Sequence, residues 1–164
     1  MLAIHNGKAQ GIEAGLLSSP RSAGVHVNFA QRGDSQSVLR VYADIYDILD
    51  GGQRNPGVKA DYHIMFILKA FKVNEDATFS LMAGPGAALG YTRDKNSKQG
   101  LMAGISGMFS AGFSFKIPVT VSLGLSGIVG CMITRNSKLD QTLKLYRSGL
   151  TRCLAPELTI SYRF

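Results

Sequence analysis

Residues 100–134 read GLMAGISGMFSAGFSFKIPVTVSLGLSGIVGCMIT, two long runs of alternating character joined at Pro118. Up to Phe115, Leu101, Ala103, Ile105, Phe109, Phe113 and Phe115 alternate with Gly104, Ser106, Ser110, Gly112 and Ser114. After Pro118 the pattern resumes: Val119, Val121, Leu123, Leu125, Val129 and Ile133 alternate with Thr120, Ser122, Gly124, Ser126, Gly130 and Thr134. A period of two is that of a β-strand with chemically distinct faces. The second face decides the environment. A soluble barrel or sandwich would turn it to water and place Lys, Glu and Asp there. Gly, Ser, Thr and Met suit instead the narrow interior of a small closed barrel, with the apolar face turned to lipid.

Outward from this stretch the same period holds. Phe79, Leu81, Ala83, Ala87, Leu89 and Tyr91 oppose Thr78, Ser80, Met82, Gly84, Gly86 and Gly90. Leu39, Val41, Ala43 and Ile45 oppose Arg40, Tyr42, Asp44 and Tyr46. One strand is out of phase: Tyr62, Ile64, Phe66 and Leu68 share a face, while Met65, Ile67 and Phe71 fall on the other. The alternation and its turns delimit about eight strands, at roughly 8–17, 23–32, 37–49, 60–73, 77–92, 100–116, 119–134 and 156–164. Tight connections (33–36, 74–76 and Pro118) alternate with long ones (50–59, 93–99 and 135–155), although the first, 18–22, is short. The fold expected is all-β, a closed antiparallel up-and-down transmembrane barrel, as one domain over 1–164. Within the last connection, Leu143, Tyr146 and Leu150 fall at helical spacing, so 140–150 is expected to form a short helix or an extended hairpin.

Composition agrees. Charged residues make up 18% of the 164 residues, below the roughly 25% of ordinary soluble domains, while the hydrophobic fraction is an ordinary 45%. No run approaches the roughly 20 apolar residues of a membrane helix. Leu2 to Lys8 has neither a basic nor an apolar leader segment, so an exported chain is expected here in its mature form with an added Met1. The net charge of +7 invites nucleic acid as a partner. Its placement argues otherwise: Arg54, Lys59, Arg93, Lys95, Lys98, Arg135, Lys138, Lys144, Arg147 and Arg152 fall mainly in loops, where outer-membrane lipid and lipopolysaccharide phosphates are the fitting partners.

The chain ends Leu158-Thr159-Ile160-Ser161-Tyr162-Arg163-Phe164, alternating up to a terminal Phe. Together with the alternating loop lengths and the uncharged second face, this resembles the small eight-stranded bacterial outer-membrane proteins of the OmpA/OmpX type. It departs from them in lacking Trp and in its brief first loop. The resemblance implies an outer-membrane location and a C-terminal signal, Tyr162 and Phe164, read by the barrel-assembly machinery. Phe79, Phe113, Phe115, Tyr162 and Phe164 fall near the short-turn end, as one interfacial girdle, with Tyr62 and Tyr91 toward the long loops.

Candidate sites lie on the second face. Glu13, Arg40 and Asp44 are expected to form a polar network in the lumen, because interior charges must pair, with His26, His63 and Lys69 as further candidates for the same face. Cys131 and Cys153 could bridge in an oxidising compartment or remain free thiols. His26 and Ser126 raise a nucleophile–base pair, but no spacing links them. No metal or cofactor is expected. The leading expectation is a monomeric, non-enzymatic barrel with a structural or surface-interaction role. The alternatives are a lipid-modifying enzyme or narrow pore on the same fold, and a soluble barrel that carries a small apolar ligand.

Overall fold

The computed structural model describes residues 11–19, 22–32, 34–44, 57–92, 99–135, 141–148 and 157–164. Among them are nine strands: β1 (Glu13–Ser18), β2 (Ser22–Arg32), β3 (Ser35–Asp44), β4 (Val58–Lys72), β5 (Ala77–Thr92), β6 (Gln99–Phe115), β7 (Val119–Arg135), β8 (Gln141–Ser148) and β9 (Glu157–Arg163). Each of β1 to β7 pairs antiparallel with the next. The ring closes through β9, which pairs with β7 on one edge and β1 on the other. The result is a closed antiparallel eight-stranded barrel whose eighth position is shared. β8 lies against Ile128–Arg135 of β7 and β9 against Val119–Gly124.

The strand at 141–148 replaces the helix offered for 140–150 and realises the hairpin alternative. Helical and strand periods both fit this segment. The unpaired edge of β7 decides between them, because its peptide groups need partners and β8 supplies them. Leu143 and Leu145, two residues apart, both lie on the outer surface.

Alternation is strict through β6, where Leu101, Ala103, Ile105 and Phe109 are exposed and Met102, Ser106, Met108 and Ser110 buried. The out-of-phase fourth strand has a local cause. Ile67 pairs with Met82 but Lys69 with Leu81, so Leu68 is an extra residue in a β-bulge. The bulge inverts the parity of the residues after it, turning Phe71 outward opposite Phe79. The β4–β5 ladder is also interrupted opposite Gly84 and Pro85, where proline offers no N–H.

Apolar side chains buried in the interior gather in two clusters among the described residues. Val38, Met65 and Met108 form a buried cluster with Met82 against it, toward the short turns. Ala88, Met102, Ile128 and Met132 form another toward the long connections. The buried polar residues of the interior define the candidate site.

Candidate functional site

Arg40 projects inward from the middle of β3 and is 1% exposed. Its guanidinium meets two carboxylates from different parts of the wall. Nε and Nη2 donate to Oδ1 and Oδ2 of Asp61, on the adjacent β4, both at 2.6 Å. Nη1 donates to Oε2 of Glu157, the first residue of β9. Glu157 Oε1 accepts from Ser126 of β7 at 2.6 Å, and Asp61 Oδ2 accepts from the Tyr42 hydroxyl at 3.1 Å. His63 Nδ1 lies 3.4 Å from Asp61 Oδ1, outside hydrogen-bond geometry. One chain of contacts thus crosses the lumen from β3 and β4 to β7 and β9. Bidentate guanidinium–carboxylate pairing is strong and directional, and it offsets the desolvation of charges held away from water.

Glycines opposite these side chains make the room. Gly86 pairs with His63 and Gly15 with His26; a Cβ at Gly86 would lie 2.5 Å from His63 Cδ2, and one at Gly15 2.7 Å from His26 Cε1.

A second polar group occupies the short-turn mouth. Arg163 Nε donates to Glu13 Oε1 at 2.9 Å, and Asn28 Nδ2 donates to Glu13 Oε2 at 3.2 Å. Beside it the Thr159 hydroxyl contacts that of Ser122, and Thr120 donates to Ser114 at 3.3 Å.

The residues proposed from sequence are therefore distributed differently from the expected trio. Arg40 is at the centre, but its partners are Asp61 and Glu157. Glu13 is lower in the lumen with Arg163. The Asp44 side chain lies outside the described residues; its backbone ends β3 opposite Ser22. His63 joins the central group, and His26 pairs across the sheet with Arg40. Lys69, expected in the lumen, is on the outer wall, because the bulge at Leu68 shifts its parity. Ser126 engages Glu157, while His26 packs beside Gly15. Asp61 and Glu157 were missed, although strand parity carries the signal: Asp61 alternates with Tyr62, and Glu157 shares the parity of Thr159 and Ser161.

On the outside, Phe71, Phe79 and Phe113 form a row with ring centroids 5.1 and 4.9 Å apart, and Tyr162 meets Phe164 edge-on at 5.2 Å. Cys131 is exposed and free; Cys153 lies outside the described residues, as do Arg54, Arg93, Lys95, Lys98, Lys138 and Arg152 and the side chains of Arg135, Lys144 and Arg147. Among the described residues no group of three or more His, Cys, Asp or Glu is placed to hold a metal.

No protein-family model and no curated protein matches the chain. Among solved structures it is similar to the N-terminal β-barrel domain of Pseudomonas aeruginosa OprF, with a TM-score of 0.53 and 11% identity, over 94% of this chain and 98% of that one. At that identity the likeness is one of fold.

Proposed function

We propose that the protein is an integral, non-enzymatic barrel of the bacterial outer membrane, with its short turns in the periplasm and its interior closed to bulk flow by the Arg40–Asp61–Glu157 bridge. The observation that carries this reading is the inversion of polarity across the wall. Ile105 is 74% exposed and Leu16 69% exposed, whereas Arg40 and Asp61 are 1% and 2% exposed. Water would penalise such an exterior; hydrocarbon accommodates it and also requires that the backbone ring be closed. Similarity in fold to the OprF domain supports the same placement.

A bridged lumen favours a structural or surface-interaction role over transport. The test is reconstitution into planar bilayers. The unmodified protein is expected to conduct little or no current, and Arg40→Ala to conduct measurably more, because the guanidinium that joins the two carboxylates is removed. Large steady channels in the unmodified protein would establish the narrow-pore alternative instead.

A further inference from the structure

Lys69 breaks the rule that governs the outer wall. Among the strand side chains that the structure describes, it is the one charged residue whose ladder position has outward parity; Lys72, also exposed, ends β4 opposite Thr78. Its neighbours on that face are Leu68, Leu81 and Phe71. The bulge at Leu68 puts it there; continuous alternation would have turned it inward with Ile67. A bare ammonium against hydrocarbon is costly, and the cost falls toward the interface. Its Nζ lies 5.9 Å from the centre of the ring of Phe71, the residue two positions nearer the short turn. Phe71 begins the Phe71–Phe79–Phe113 row, and such rings settle at the headgroup level. In the outer-membrane reading above, where the phenylalanine row marks the interface, the ammonium comes within reach of lipid phosphates. No carboxylate of the described residues lies within ion-pair distance of it, whereas Lys116, at the next turn, has Asp76 at 3.5 Å.

We propose that Lys69 and the adjoining phenylalanine row form a docking site for an anionic phospholipid of the periplasmic leaflet. Lys69 holds the headgroup phosphate, and the acyl chains lie along Leu68 and Leu81. The proposal rests on the outer-membrane reading above. Charge complementarity selects the occupant: an unpaired cation at headgroup depth favours a lipid of net negative charge over a zwitterionic one.

The test reconstitutes the full chain into phosphatidylcholine vesicles containing a minority of phosphatidylglycerol, then counts retained lipids by native mass spectrometry after mild extraction. The unmodified protein is expected to retain phosphatidylglycerol several-fold above its share of the bilayer. Lys69→Met, which leaves an apolar residue on an apolar face, should return the retained lipid to bulk composition. Lys69→Arg should preserve the enrichment, and Lys116→Gln should leave it unchanged. Heat-modifiable migration on gels checks that every variant is folded. Insertion without enrichment, or enrichment that survives Lys69→Met, overturns the lipid site alone. Failure of the unmodified chain to insert overturns the outer-membrane reading and the site with it.

Discussion

At the scale of single residues, the interior works by matching size and charge across adjacent strands. Gly86 illustrates size: a Cβ there would sit 2.4 Å from the Tyr62 carbonyl oxygen as well as against His63. Backbone cannot swing aside as a flexible side chain can. Gly86→Ala is therefore expected to lower stability by about 1–3 kcal/mol. Gly107 is the control, since a Cβ there meets nothing within 4 Å. Gly107→Ala should stay within about 0.5 kcal/mol of the parent. Urea unfolding in lipid vesicles measures both, and equal losses would remove the steric account. Charge obeys the same logic. Arg40→Ala strands two buried carboxylates and is expected to cost about 3–5 kcal/mol, whereas replacing Arg40, Asp61 and Glu157 together by Met, Leu and Met should recover most of that loss. A triple variant as unstable as the single one would mean that the bridge stabilises beyond mutual compensation of its charges.

Among the elements, β4 and β8 show what the sequence carried and what it did not. The two faces of β5, β6 and β7 are legible because period two is a local property. The inward parity of Asp61 and Glu157 is equally local. Their meeting at Arg40 is not, since it joins positions 21 and 117 residues away in the chain. That pairing depends on the register accumulated around the ring, which one bulge alters. In β4 the misplaced Phe71 is the visible trace of such a bulge, but alternation alone does not say which residue is extra. In β8 two periods fit one segment, and a neighbouring edge chooses between them. The bulge yields its own prediction. Deleting Leu68 keeps Ile67 opposite Met82 and Lys69 opposite Leu81, so the barrel should still form and migrate as a heat-modifiable species. Deleting Asp61 removes a bridge partner and shifts the parity of one side of β4 against its neighbours, so folding should fail. If deletion of Leu68 also abolishes folding, the residue does more than add one position to the strand.

For the whole molecule, stability is set by how the ring is closed, and closure is uneven. β5 and β6 share sixteen residue pairs, from Ala77↔Phe115 to Thr92↔Gly100. β9 is held by six pairs to β1 and six to β7. Two further backbone bonds finish the seam, from Arg163 N to Pro118 O at 2.9 Å and from Phe164 N to Ile12 O at 3.0 Å. Local opening starts where bonding is thinnest, so the amides of β1 and β9 are expected to exchange with solvent deuterium before those of β5, β6 and β7 in detergent micelles. The same seam should be the most sensitive to charge on its outer face. Ile160 lies between Leu16 and Val121 on that face and is 52% exposed. Ile160→Arg should cost about 2–4 kcal/mol if this belt meets the middle of a bilayer, and less nearer the interface. In plain water an arginine at so exposed a site would cost almost nothing. The comparison therefore reads the surroundings of the closed ring directly: a loss of that size in vesicles supports lipid at the seam, and a neutral variant would mean that the apolar belt does not face hydrocarbon there.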